Sequence, residues 1–197
     1  MGKPLSEMTL EELWQLFPIV LEASDPCWRQ WYDEEAALLQ PLLPADARIS
    51  HIGSTAIHGI WAKPIVDILV EVPNAIGLEA AGAKLSQGGY RCMSRSDTRR
   101  SYNKGYTENG FAERVFHLHL RVAGDHDELY FRDYLNNHPA IAKEYEQLKL
   151  SLWKEYEHDR DGYTAAKAAF VVHHTLAAKQ QYGNRYEMIA PSKDQTD

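Results

Sequence analysis

The chain has 197 residues, 44% hydrophobic and 25% charged, which is the make-up of a folded domain with a sizeable core rather than a disordered or fibrous chain. Its 28 acidic and 21 basic residues leave a formal charge of −7, which excludes a general nucleic-acid binder, because such a protein needs a basic footprint. The two cysteines, Cys27 and Cys92, form no CxxC pair, the opening MGKPLSEMTLEEL has no apolar signal core, and no run approaches the roughly 20 apolar residues of a membrane span, so the expectation is a reduced, cytoplasmic protein with no membrane partner.

Residues 1–24 read as a helical extension. Thr9 is placed to cap a short helix through Leu16, with Glu11 and Glu12 at its positive end. Asp25-Pro26 opens a second helix, acid at the cap and proline at the first helical position; it carries Trp28, Trp31, Tyr32, Ala36 and Leu39 at helical spacing and ends near Pro41. These aromatics read as core. A short strand from Arg48 to Ile52 runs into Gly53-Ser54-Thr55, and a second strand, Ile65 to Val72, is closed by Pro73-Asn74. Residues 75–87 form a helix that ends at Gly88-Gly89. Strands follow at Tyr90–Met93, Thr98–Tyr106 and Glu113–Val122, then helices at Asp125–Asn137, Pro139 to about His158, and Asp161 to about Gln181. Strands in the middle with helices on both sides imply an α+β (α/β) fold: a mixed sheet flanked by helices, with further helices at the C-terminal end. A single domain over 25–189 and a frayed polar tail over 190–197 complete the expectation.

Three segments carry chemistry. A strand ending in Gly53-Ser54 can turn sharply, because glycine tolerates positive φ, and the backbone N–H groups with the hydroxyls of Ser54 and Thr55 then suit a phosphate. An ordinary turn capped by a hydroxyl explains the same residues. In Ile65–Val72 the alternation puts Val66, Ile68, Val70 and Val72 on one face and Ile65, Asp67, Leu69 and Glu71 on the other. A carboxylate at Asp67, flanked by branched residues, is expensive without a partner, so it reads as a metal ligand, a general base or one half of a buried pair. In Glu113–Val122, Phe116, Leu118, Leu120 and Val122 share a face, and Val115, His117, His119 and Arg121 share the other. Two histidines at i, i+2 point the same way about 7 Å apart, which suits two ligands of one metal, a ligand and a base, or a solvated sheet face. If both strands lie in one sheet, Asp67, His117 and His119 share one polar cleft, which is the default site.

Positive charge is available around it. Lys63 precedes the Asp67 strand and can reach a phosphate. Arg100, Tyr102 and Lys104 alternate on one face and can bind phosphate oxygens or protect an edge strand. In the last helix Tyr163, Ala166, Phe170 and His174 follow the inward spacing, and Lys167, four residues after Tyr163, either snorkels or points into the cleft. In the helix before it, Ile141, Tyr145, Leu148, Leu152 and Tyr156 read as core packing.

HIGSTAIHGIWAKPIVDILVEV, residues 51–72, resembles the central motif of the GrpB proteins. The later FHLHLRV, FRDYLNNHP and YTAAKAAFV resemble that family in the same order, so the resemblance covers roughly Asp25 to Leu176. It implies a nucleotidyltransferase-like fold, in which a Gly-Ser turn holds a nucleoside triphosphate and two or three carboxylates on neighbouring strands hold divalent metal. By that resemblance Gly53 and Ser54 match the phosphate turn and Asp67 the first carboxylate. Relatives fused to dephospho-coenzyme A kinase hint at nucleotide or coenzyme metabolism. The chain departs from the pattern at Leu69, where the superfamily has a second acid, and at His58, where many members have proline. Glu71 lies about 13 Å from Asp67 along an extended strand, too far for both to hold one ion.

The expected function is a nucleotidyltransferase-like protein that binds a nucleotide or phosphorylated small molecule with a divalent metal and transfers a nucleotidyl group. Gly53, Ser54, Thr55, Lys63, Arg100, Lys104 and Lys167 would hold phosphate, and Asp67, His117 and His119 would be both catalytic residues and metal ligands. The metal would be Mg²⁺ or Mn²⁺, with Zn²⁺ suited to the two histidines. A catalytically inactive nucleotide- or coenzyme-binding module, and a scaffold protein on the same fold, are the alternatives, and Leu69 favours the inactive module.

Overall fold

The computed structural model describes residues 3–187. The tail expected over 190–197, and the last two residues of the expected domain, lie outside the described residues. Helix α1 (Leu10–Leu16) starts where Thr9 and Glu12 form a reciprocal cap: the Thr9 hydroxyl accepts from the Glu12 N–H, and the Glu12 carboxylate accepts from the Thr9 N–H. In front of α2 (Cys27–Leu39) the Asp25 carboxylate accepts from the Cys27 N–H. The strands are β1 (Arg48–Ile52), β2 (Ile65–Val72), β3 (Arg91–Arg95), β4 (Arg99–Thr107) and β5 (Gly110–Val122); the remaining helices are α3 (Ala75–Gln87), α4 (Asp127–Asn137), α5 (Pro139–Trp153) and α6 (Arg160–Tyr182).

Among the described residues the strands form one sheet in the order β1-β2-β5-β4-β3. β2 and β5 run parallel, and every other neighbouring pair is antiparallel. The sheet is therefore mixed and the fold α+β, as expected. On one face Val66, Ile68, Val70 and Val72 of β2 and Phe116, Leu118 and Leu120 of β5 pack with Trp28 and Leu39 of α2 and Leu78, Ala81 and Leu85 of α3. Burial of side chains of this size stabilises by about 1.5–3 kcal/mol each before entropy is counted.

The second face is covered as well. Leu69 is fully buried with Ile52 and with Leu129 of α4. Glu71, 1% exposed, accepts from Arg48 Nε at 2.9 Å and from His126 Nδ1 at 2.8 Å. Toward the Asp67 end of β2, α5 and α6 form the cover, and a cleft separates them from the sheet.

Two expectations need correction here. Residues 1–24 are more than an extension: Phe17, Ile19 and Leu21 are buried, the Ile19 N–H donates to the Glu157 carbonyl at 2.8 Å, and Glu22 pairs with Ala62. Three apolar side chains in five residues are enough to fix the segment as a strap across the base of the helices. The inward face of α5 is also rotated from its apolar stripe. Its buried residues are Ala142, Tyr145, Glu146 and Lys149, because Glu146 and Lys149 both bond to the backbone of Trp61. On α6, Ala166 is exposed and Lys167 takes the inward place. No helix among the described residues is long and apolar enough to cross a membrane.

The Glu71 network yields a stability test. Glu71→Ala strips a buried carboxylate from both Arg48 and His126, and the unfolding free energy should fall by about 3 kcal/mol. Urea denaturation measures it, and a loss below about 1 kcal/mol would contradict this account.

Candidate functional site

The parallel register sets Asp67 of β2 opposite His117 of β5, and Leu69 opposite His119. The Asp67 carboxylate Oδ1 lies 3.2 Å from His117 Nδ1 and 3.6 Å from His119 Nε2. A carboxylate only accepts, so the nearer ring nitrogen, His117 Nδ1, is the one placed to turn an N–H toward it. Tyr106 of β4 lies 2.8 Å from His117 Nε2 through its hydroxyl, and Arg160 of α6 donates to that hydroxyl at 3.0 Å. With the proton of His117 on Nδ1, Nε2 accepts from Tyr106, which links Arg160, Tyr106 and His117 in one chain that ends beside Asp67. Burial pushes the Asp67 pKa up, but the two imidazoles outweigh it and hold the carboxyl well below the usual range. Burial lowers the pKa of His117 despite Asp67, with Arg160 and Lys63 adding to the fall.

The turn after β1 closes on this carboxylate. Gly53 has φ of 71°, and a Cβ there would stand 2.3 Å from Asp67 Oδ2, so only glycine brings the chain this close. A single 3-10 turn, Ser54–Ala56, follows in place of a longer helix. Ser54 lines the cleft. The Thr55 hydroxyl does not reach it: it donates to the Ile65 carbonyl at 3.3 Å and accepts from His51 Nε2 at 3.0 Å.

The cleft is a cavity of about 220 Å³ whose walls include Ser54, Lys63, Asp67, Tyr145, Lys149, Tyr163 and Lys167. Its cations are held by rings. The Lys167 and Lys63 ammonium groups lie 4.1 and 5.4 Å from the Tyr163 ring centre, and that of Lys149 lies 4.9 Å from the Tyr145 ring centre. Among the described residues none of the three forms a salt bridge, although Lys149 also donates to the Trp61 carbonyl. Burial, reinforced by the neighbouring cations, lowers Lys63 and Lys149 to about 7; burial lowers Lys167 to about 8 against the pull of Asp67. Burial raises the Tyr145 hydroxyl to about 12, and the Tyr163 hydroxyl is buried without a hydrogen-bond partner.

Of the residues expected at the site, Gly53, Ser54, Lys63, Asp67, His117 and Lys167 line this one cavity, and His119 stands beside it against Asp67. Arg100 and Lys104 lie elsewhere, and their expected phosphate role is corrected. They pair with Leu120 and Phe116 across the β4–β5 ladder, which puts them on the opposite face. There Arg100 is paired with Glu79 of α3, and Lys104 with Glu35 of α2 at 2.7 Å. A larger cavity of about 720 Å³, between α1 and the β3–β4 edge, contains none of the cleft lysines.

The metal expected at Asp67, His117 and His119 does not fit these donors. Mg²⁺ asks for several hard oxygen ligands, and of the two acids that line the cleft, Asp67 and Glu128, the second is held by Arg121. Among the described residues no three His, Cys, Asp or Glu side chains are arranged to hold an ion.

The GrpB protein family model matches residues 18–176. The chain belongs to the GrpB family. It is 36% identical over 161 residues to the Glutamate-rich protein GrpB of Alkalihalophilus pseudofirmus, covering 78% of this chain and 91% of that one. It is 37% identical over 146 residues to a UPF0157 protein of Deinococcus radiodurans, covering 73% of each. The crystal structure of conserved protein GrpB from Enterococcus faecalis superposes with a TM-score of 0.72 at 29% identity, covering 83% of this chain and 99% of that one. The GLD-2/RNP-8 complex structure superposes with a TM-score of 0.53 at 12% identity, over 96% of this chain and 77% of that one, a likeness of fold alone. The fold is nucleotidyltransferase-like, as the motif resemblance implied.

Tyr106, Tyr145, Lys149 and Arg160 went unnoticed as site residues in the sequence, and Tyr163 was read only as inward-facing. One signal was present: Tyr145–Lys149 and Tyr163–Lys167 are two Tyr-x-x-x-Lys pairs on consecutive helices.

The lysines have a consequence for stability. With pKa values lowered to about 7, Lys63 and Lys149 bind fewer protons in the folded than in the unfolded chain between about pH 7 and the ordinary lysine range. Their contribution makes the ligand-free protein more stable as pH rises through that window, and that gain is lost as pH falls through 7. Denaturation curves from pH 6.5 to 9.5 should show a smaller rise for Lys63→Met than for the parent; equal slopes would count against the uncompensated charge.

Proposed function

We propose that this GrpB-family chain binds a nucleotide or another phosphorylated small molecule, with its phosphates in the cleft between β2–β5 and α5–α6. The observation that carries this reading is the convergence of three inward-facing lysines without carboxylate partners on the Gly53–Ser54 turn. Unpaired ammonium groups inside a protein are costly, and an anion that enters removes that cost. Ser54 offers a hydroxyl, and Tyr163 offers a donor with no other use. A cavity of about 220 Å³ takes phosphate groups and leaves the rest of a nucleotide outside.

Binding is favoured over nucleotidyl transfer. Position 69, where the superfamily has its second acid, is a leucine packed at 0% exposure with Ile52 and Leu129. His117 has both ring nitrogens engaged and serves as a positioning group for Asp67 rather than as a free base.

A thermal-shift panel of nucleoside triphosphates, diphosphates and phosphorylated coenzyme precursors tests the reading. A ligand at about a hundred times its Kd adds about 2.7 kcal/mol, which for a chain of this size raises Tm by roughly 5–10 °C. Ser54→Ala should reduce the shift. If no phosphorylated compound moves the Tm, the cleft is not a phosphate site.

A further inference from the structure

The lysines and Asp67 divide the cleft in a way that bears on how an anion is neutralised there. In a nucleotidyltransferase-like fold the expected bridge between ligand phosphates and protein is a divalent ion on carboxylates. Here the available acids are otherwise committed: Asp67 faces two imidazoles, and Glu71 is held by Arg48 and His126. The nearby Glu128 accepts from Arg121 at 2.6 and 2.9 Å, and Glu146 accepts from the Trp61 N–H at 2.6 Å while paired with Lys143. Among the described residues Lys63, Lys149 and Lys167 form no salt bridge; they lie against the rings of Tyr145 and Tyr163, and Lys149 also donates to the Trp61 carbonyl.

We infer that the cleft holds its ligand's phosphates directly through Lys63, Lys149 and Lys167, with no divalent metal between ligand and Asp67. The inference rests on the reading of the cleft as a phosphate site and adds to it the source of the neutralising charge. A divalent ion placed at Asp67 would share the cavity with Lys63, Lys149 and Lys167, and the positive charge those side chains carry opposes it. A linear polyphosphate meets a matching set of charges instead. The ligand class is therefore a di- or triphosphate taken in its metal-free form. Asp67 opposes that anion; its negative charge keeps the empty site from collecting monovalent anions indiscriminately, and the two histidines hold it off the incoming oxygens.

Isothermal titration with inorganic tripolyphosphate and with ATP, each in excess EDTA and in millimolar Mg²⁺, tests this on the full chain. Binding should be at least as tight in EDTA, because Mg²⁺ withdraws the free polyphosphate. Lys167→Met, at a partly exposed position, should weaken binding about tenfold, the loss of one charge-assisted contact. Asp67→Asn should bind several-fold tighter, because it removes a like charge. Circular dichroism and melting curves accompany each variant, so a folding defect is recognised separately. Binding that requires Mg²⁺ and disappears in Asp67→Asn overturns the inference and leaves the phosphate-site reading standing. Failure of both probes to bind in either buffer overturns the inference, and the phosphate-site reading is then decided by the wider thermal-shift panel.

Discussion

The parallel pairing of β2 with β5 is the contact on which the rest of this molecule depends. Among the described residues it is the one parallel ladder in the sheet, and α3 and the β3–β4 hairpin lie between its two strands in the chain. Its register brings Asp67 against His117 and sets the apolar residues of both strands on the face that α2 and α3 cover. A slip by one residue would exchange the faces, burying the carboxylate and both imidazoles in the main core. Fold and site are therefore fixed by the same register.

Around that ladder the polar face is divided in two. Near Val72 it is closed by α4, with Leu69 and the Glu71 ion network under it. Near Ile65 it stays open, because Tyr145, Lys149, Tyr163 and Lys167 stand off the sheet where apolar side chains would have packed down. The N-terminal strap sits at the mouth, since Leu21 lines the same cavity and Glu22 pairs with the segment leading to Lys63. Family membership and the nucleotidyltransferase-like fold agree with this layout, and Leu69 marks the departure from the metal-binding pattern associated with that fold.

Much of this was legible in the sequence, for reasons of period. The two-residue alternation of Ile65–Val72 and Glu113–Val122 separated Asp67, His117 and His119 from the core residues before any pairing was known. Gly53-Ser54 showed itself as a turn because glycine punctuates a strand. Arg100 and Lys104 were misplaced because alternation says which residues share a face but not which face it is. The answer depended on Glu79 and Glu35, far away in the chain, which make a charged residue tolerable on the packed side. Lys149 was hidden because hydrophobic spacing points to the apolar stripe of a helix, whereas α5 turns a polar stripe inward to meet the backbone at Trp61.

The two ammonium groups on the Tyr163 ring have a kinetic meaning. An aromatic face holds a cation loosely, by about 1 kcal/mol, and asks for nothing back when a stronger partner arrives. Among the described residues no internal ion pair holds these two groups, so none has to break for them to take another partner.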